Sequence, residues 1–290
     1  GLVVGETTPR ATIRSSGAFS YAVSVNTRID AERLIVEAGE DIAISSDAAI
    51  MFVGGSLTTQ TGRAISILAG GSIELGSMTL TAPGGAVTLT AQNSGRIVLG
   101  YTGLLTADSV TATASGRIQL STNVNTIQAQ LTGAGDVVVQ ETDTVDLMGV
   151  NAANGTVAAT AGGTLTVTNV VAGGNVILTS LTGDVVLGSI QTNMTTGVIH
   201  AGASSGAIRA AASNFQLSGA SANFRASDQQ IASGQNGVTL TAGLTANLDP
   251  ALILGNVILN DALMTQLGAG STTDLVLNAT GSVTIDSLST

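Results

Sequence analysis

The sequence contains no cysteine, no tryptophan and no lysine, and only six aromatic residues in 290: Phe19, Tyr21, Phe52, Tyr101, Phe215 and Phe224. Without cysteine there is no disulfide and no thiolate zinc site. Without lysine there is no Schiff-base chemistry, no P-loop and no Lys-to-Asn cross-link of the kind that staples some surface pilins. With so few rings, the core has to be filled by Val, Ile, Leu and Ala; a hydrophobic fraction of 44% supplies them. Basic residues are also scarce. Nine arginines stand against nineteen acids, a net charge of −10. The footprint that holds a nucleic-acid backbone is therefore missing, and an anionic membrane surface is disfavoured for the same reason.

Long apolar runs are absent as well. Stretches such as Val170-Val171-Ala172 and Leu252-Ile253-Leu254 are broken within a few residues by Gly, Asn or Thr, so none approaches the roughly 18 residues of a membrane span. The chain opens Gly1-Leu2-Val3-Val4-Gly5, with neither an initiator methionine nor the layout of a signal peptide. It is expected to be a processed product or a segment of something longer. The composition, acidic and rich in Thr, Ser, Gly and Ala, favours an extracellular location.

What the sequence has in quantity is glycine, 37 residues, placed in a recurring phrase. A glycine is followed by any residue, an aliphatic residue, any residue and a second aliphatic. Copies include Gly71-Ser-Ile-Glu-Leu, Gly85-Ala-Val-Thr-Leu, Gly95-Arg-Ile-Val-Leu, Gly116-Arg-Ile-Gln-Leu, Gly135-Asp-Val-Val-Val, Gly163-Thr-Leu-Thr-Val, Gly174-Asn-Val-Ile-Leu, Gly183-Asp-Val-Val-Leu, Gly255-Asn-Val-Ile-Leu and Gly281-Ser-Val-Thr-Ile. Aliphatics two apart are strand periodicity, one face in and one face out. The glycines at 95, 116, 135, 155 and 174 are separated by 21, 19, 20 and 19 residues, and a second series at 163, 183 and 206 by 20 and 23. An antiparallel sandwich also shows turn signals every 8–12 residues. It does not explain a phrase that returns in register at twice that interval. A helix is disfavoured because each interior glycine costs about 1 kcal/mol.

The expected fold is therefore all-β: a right-handed parallel β-helix, a solenoid with rungs of about 20 residues and two or three short strands per rung. Dividing the length by that period gives roughly 14 rungs, stacked about 4.8 Å apart. Aliphatics are expected to stack on their equivalents one rung away, with Gly, Asn and Asp at corners where φ > 0 is needed. Residues 1–37 are less regular and hold Arg10, Arg14, Arg28 and Arg33. They read as an irregular first part of the coil or an N-terminal cap, and residues 38–290 as the repeat region.

Gly173-Gly-Asn-Val-Ile-Leu-Thr-Ser180, Thr182-Gly-Asp-Val-Val-Leu-Gly-Ser-Ile190 and Asn278-Ala-Thr-Gly-Ser-Val-Thr-Ile285 resemble the degenerate repeats of filamentous-haemagglutinin-like adhesins, the large exoproteins of bacterial two-partner secretion. The likeness covers about residues 38–290 and is one of pattern and composition. It implies a right-handed β-helical shaft, a bacterial cell-surface or secreted location, and an outer-membrane transporter as the export partner. The secretion domain of that family carries Asn-Pro motifs, and no Asn-Pro occurs here. The resemblance therefore points to shaft.

Parallel β-helices also include polysaccharide lyases and hydrolases, so acidic patches deserve scrutiny. Glu141, Asp143 and Asp146 form the densest acidic group. On a strand Glu141 and Asp143 face the same way, as a calcium site or a carboxylate pair requires. A lyase would also need a nearby base, and no arginine lies between Arg117 and Arg209. The favoured reading is a solvated face. His200 is the single histidine and is read as structural or solvent-facing. Gly133-Ala-Gly-Asp136 is one fragment of a calcium-binding nonapeptide that works only when repeated. Asp136 and Asp184 are read as turn residues. Thr-x-Thr pairs begin at Thr79, Thr88, Thr111, Thr164 and Thr239 at irregular intervals, so no continuous threonine rank of the ice-binding kind is expected. Asn193 and Asn278 match a glycosylation acceptor pattern by chance. The stretch 207–235, with Arg209, Phe215, Phe224 and Arg225, is the one place expected to protrude, or else a degenerate rung or two.

No residue is assigned a catalytic, cofactor-binding or metal-binding role, and no cofactor is expected. The expected function is that of a structural and adhesive shaft segment, not an enzyme. Its expected partners are a cell-surface or matrix ligand, glycans included, and copies of itself met end to end, unless the coil continues in a longer chain beyond Thr290. The alternatives are a carbohydrate-active enzyme on the same fold and a self-assembling extracellular filament subunit. Two register expectations follow. Ile97, Ile118 and Val137 should share one interior column, as should Leu99, Leu120 and Val139. Arg96, Arg117, Asp136, Thr156 and Asn175 should occupy matching outward positions, with Arg117 and Asp136 in side-chain contact.

Overall fold

A Gly-led phrase folds as a short strand whose alternate aliphatics turn inward, and successive copies lie side by side. The computed structural model describes residues 10–23, 29–193, 195–211, 216–218, 221–229, 239–240, 245–246, 257–259 and 283–285. Among them every residue in regular structure is in a strand, and no helix occurs. The chain divides into two compact units, Gly1–Thr142 and Asp143–Thr290. Each is a parallel β-solenoid, and together they make about 9 turns with rungs of about 21 residues. That is fewer than the roughly 14 rungs expected from the length, and much of 230–290 lies outside the described residues. There only Thr239–Leu240, Thr245–Ala246, Val257–Leu259 and Val283–Ile285 are described.

In the first unit each turn presents three strand faces. Ile73–Glu74 lies on one; the long strand Ser77–Ala91 supplies the other two, because it turns a corner at Pro83-Gly84-Gly85. The next turn repeats this with Ile97–Val98 and Leu104–Ala114. The pairing is parallel and in register: Ile50 opposes Ile73, Ile73 opposes Ile97, Ile97 opposes Ile118 and Ile118 opposes Val137. That column is 0% exposed throughout. Leu99, Leu120 and Val139 form the neighbouring one. Leu99 N–H donates to the Gln119 carbonyl at 2.9 Å, Leu120 opposes Val139, and all three are buried. Both expected columns are thus present. On another face Ile42, Ile65, Val87, Val110 and Ile127 stack in the same way. The irregular segment before residue 38 already contributes to the ladder: Arg10–Ser15 pairs with Arg33–Ala38, and Phe19–Val23 with Ile42–Ser46.

The second unit uses the same device with smaller side chains. Val145, Leu165, Val185 and Ile208 form one column; Val157, Val176 and Ile199 form another. Small residues occupy the corners, where the chain turns and the interior narrows. Ala161, Ser180 and Ala203 stack there. The Ser180 hydroxyl is fully buried, accepts the Gly183 N–H at 3.0 Å and sits 2.7 Å from the carbonyl oxygens of both Gly163 and Gly183.

The phrase-leading glycines do stand at corners, but for a different reason from the one expected. None of Gly71, Gly95, Gly116, Gly163, Gly183 and Gly206 has a positive φ. They stack on one another: a Cβ on Gly95 would overlap the Gly71 carbonyl oxygen, and one on Gly206 the Gly183 carbonyl oxygen. At Gly95, Gly163, Gly183 and Gly206 close approach between rungs, rather than left-handed backbone, excludes a side chain, while Gly71 and Gly116 leave 3.3 Å to the nearest atom. Among the described residues positive φ occurs at Gly55 (φ 128°), Gly62 (φ 77°), Gly84 (φ 63°), Asn93 (φ 51°) and one phrase-leading glycine, Gly135 (φ 158°).

Candidate functional site

Of the three clustered acids, one lies in the core, one is half-buried and one is exposed. Glu141 ends the strand Val137–Glu141 and faces inward, 5% exposed, in line with Val137 and Val139. Its carboxylate accepts the Val124 N–H at 3.1 Å and the Thr142 N–H at 2.9 Å, with the Thr142 hydroxyl at 3.4 Å. A buried carboxylate that accepts backbone N–H groups offsets its own desolvation and closes two otherwise orphaned donors. Asp143 lies in the bend that follows, exposed, so the strand geometry that would have aligned it with Glu141 is absent. Asp146 is half-buried on the strand Val145–Ala152 and accepts the Thr168 hydroxyl, 2.9 and 3.0 Å from its two oxygens. The expected solvated acidic face is therefore corrected for Glu141, which is a core group, while Asp143 is exposed and Asp146 half-buried. Among the described residues no group of three or more His, Asp or Glu is placed to hold a metal ion.

Glu141 stands in a column with an informative history. Val36, Leu57, Leu80 and Leu105 stack in register; the next two positions are Thr122 and Glu141. The column turns polar where the rung shortens, since Leu105 opposes Thr122 seventeen residues on. Earlier rungs of this column step by 21, 23 and 25, from Val36 to Leu57, Leu80 and Leu105. Gln119, Ser121, Thr122 and Glu141 are all buried here. The Thr122 hydroxyl has no hydrogen-bond partner. No sequence signal marked this group, because each residue occupies an ordinary strand position.

His200 lies half-buried on an outward position of the strand Val198–Ala210, opposite Ile177. Asp136 and Asp184 act through their backbones in the ladder: their carbonyls accept the Ile118 and Leu165 N–H groups at 3.0 and 2.9 Å. Asn193 is tied up in a turn, its side-chain oxygen accepting the Thr195 and Thr196 N–H groups; Asn278 lies outside the described residues. Thr88 and Thr90 stack on Thr111 and Thr113, but the flanking rungs present Ser66 with Leu68 and Gln128 with Gln130, so the rank is two rungs deep. In 207–235, the described part continues the ladder. Arg209 opposes Val186, Phe224 opposes Ala201 and Arg225 opposes Gly202; Phe215 lies outside the described residues.

The outward register is confirmed in part. Ile118 N–H donates to the Asp136 carbonyl, which sets Arg117 against Asp136, and Val157 N–H donates to the Asn175 carbonyl, which sets Thr156 against Asn175. Arg96 pairs with Glu74 at 2.7 Å. A second exposed pair, Arg14 with Glu37, also closes at 2.7 Å. The hydrogen bond to Glu37, and then its charge, raise the Arg14 pKa above the ordinary value.

Among the described residues of the first unit, two hollows open on the surface. One, about 560 Å³, is lined by Arg14, Glu37, Gly39, Thr58 and Gln60 among others, and its charges neutralise each other. The other, about 490 Å³, is lined by Arg33, Ile35, Val53, Gly54, Gly55, Ser56 and Ser77. Comparisons of the chain with protein-family models, with curated proteins and with solved structures give no match. No helix among the described residues is long and apolar enough to cross a membrane.

Proposed function

We propose that the chain is a stiff β-solenoid segment of a large bacterial cell-surface or secreted protein, a shaft that holds a binding region away from the cell. The observation that supports this most is the continuity of the interior columns. Ile50 to Val137 runs through five rungs without a gap, and each rung adds a backbone ladder to the last. A stack of in-register ladders resists bending and extension, which is what a spacer has to do. Two of the three clustered acids take part in hydrogen bonds that hold the coil together, Glu141 with two backbone donors and Asp146 with Thr168. The resemblance to filamentous-haemagglutinin-like shafts points the same way. It carries with it the export partner, an outer-membrane transporter, and the extracellular location.

The test is a paired assay of the purified chain. Adsorption to host cells and to immobilised glycans is measured alongside release of reducing or unsaturated ends from the same glycans. The shaft reading expects adsorption without product, and rupture under single-molecule force at loads typical of ladder-by-ladder opening. Turnover of any glycan that is abolished by Glu141→Gln would replace the proposal with the enzymatic alternative.

A further inference from the structure

We propose that the hollow beside Arg33 in the first unit binds a carboxylate-bearing sugar, a uronate unit of an acidic polysaccharide. The inference rests on the adhesive half of the proposed function and not on the shaft. At about 490 Å³ the hollow falls in the range that accepts a small ligand. Three observations converge on its chemistry.

The first is charge. The register places Arg10, Arg33, Gly54 and Ser77 in one file across successive rungs. Among the described side chains that file carries the Arg33 cation and no acid, in a chain whose nineteen acids against nine arginines give it a net charge of −10. The file four positions along, Arg14, Glu37, Thr58 and Thr81, neutralises itself through the Arg14–Glu37 pair.

The second is shape. Gly54 leaves the file without a side chain between Arg33 and Ser77. Gly55, at φ 128°, admits no replacement, because a Cβ there would overlap the Leu34 carbonyl. The outer surface is left concave here, where Arg33 and Ser77 on the flanking rungs carry side chains.

The third is the set of groups around it. Arg33 is exposed, and a guanidinium takes a carboxylate through two parallel N–H donors. Ser56 and Ser77 supply hydroxyls for sugar hydroxyls; Ser77 is held in place by donating to the Val53 carbonyl at 3.0 Å. Val53, 62% exposed, offers an apolar surface to the C–H face of a sugar ring. A sulfate shares the charge of a carboxylate but lacks its planar pair of oxygens, so the two are separable by experiment.

The experiment titrates the whole chain at physiological salt, by calorimetry, with hyaluronan oligosaccharides, with the same oligosaccharides reduced at their carboxyl groups, and with dextran sulfate. Binding is expected for the first and at least tenfold weaker for the other two. Arg33→Gln is expected to weaken hyaluronan binding about tenfold, and Arg33→Lys to fall between. Arg117→Gln, exposed on another face, leaves binding unchanged. Far-UV circular dichroism and the melting temperature of each variant are recorded, so that loss of fold is told apart from loss of the site. Equal binding of the carboxyl-reduced sugar, dextran sulfate as good as hyaluronan, or a folded Arg33→Gln that binds like the parent chain would each overturn the site. Failure of the parent chain to bind any of the three overturns the site and leaves the shaft reading standing. Cleavage of hyaluronan overturns the shaft reading and leaves the Arg33 contact in place.

Discussion

The early rungs of the first unit and the opening rungs of the second build the same kind of coil at different sizes. Ile42 to Ile65 and Ile73 to Ile97 take 23 and 24 residues; Val145 to Leu165 and Val157 to Val176 take 20 and 19. The interiors follow. The wider rungs stack Ile42 on Ile65 and Ile50 on Ile73 and Ile97, whereas the narrower ones stack Val157 on Val176 and Ala159 on Leu178. Since interiors pack to one density, a shorter loop of chain encloses less space and has to be filled with smaller side chains. Rung length and core composition are thus one variable, and changing either alone should do damage.

The largest expected effects test that link. Ile118→Asp should abolish folding, because an unpaired charge would replace a side chain that is 0% exposed. Ile118→Ala should cost about 2–5 kcal/mol in urea unfolding. Val176→Ile should cost about 1–3 kcal/mol by overpacking a narrow rung, and Val87→Ile, in a wide rung, should cost less. Equal penalties for the two enlargements would break the proposed link.

Next in size come the corner glycines. Gly95→Ala in the first unit and Gly183→Ala in the second each place a Cβ against the backbone of the adjacent rung; for Gly183 the Thr164 nitrogen would be 2.5 Å away. Each should destabilise by about 1–3 kcal/mol. Gly149→Ala has nothing within 4 Å to meet and should be neutral or stabilising by up to about 1 kcal/mol.

This contrast also shows how far the sequence could be read. The Gly-x-aliphatic-x-aliphatic phrase carried the strand faces, the parallel register and the Ile97–Ile118–Val137 column, because an inward aliphatic and a corner with no room are both local demands. The reason for the glycine was not legible: a left-handed φ and a close neighbour ask for the same residue, and only the position of the next rung decides between them. Glu141 was misread for a related cause. Its two neighbouring acids suggested a solvated patch, while its actual partner, the Val124 N–H, lies seventeen residues earlier in the chain. The hollow at Arg33 was equally hidden. Nothing in the order Val53-Gly54-Gly55 says that Arg33 stands beside it until the register is known.

A smaller effect separates the polar pair where the first unit narrows. Glu141→Leu strands the Val124 and Thr142 donors and should cost about 1–3 kcal/mol. Thr122→Val, one rung away in the same column, removes a hydroxyl that has no partner and should be neutral or mildly stabilising. If both substitutions cost the same, the column is not organised as described. The smallest effect belongs to the surface: Glu74→Gln releases Arg96 from an exposed pair and should change stability by no more than about 1 kcal/mol, less in high salt.

The stacking of one rung on the next, on which both the stiffness and the Arg33 file depend, is open to direct measurement by methyl nuclear Overhauser spectroscopy on selectively labelled chain. The account predicts strong cross-peaks from the Ile118 methyls to Ile97 and to Val137, and none between Ile97 and Val137, which lie two ladder spacings, about 9.6 Å, apart. Cross-peaks that instead join Ile97 directly to Val137, or that leave Ile118 without either neighbour, would contradict it.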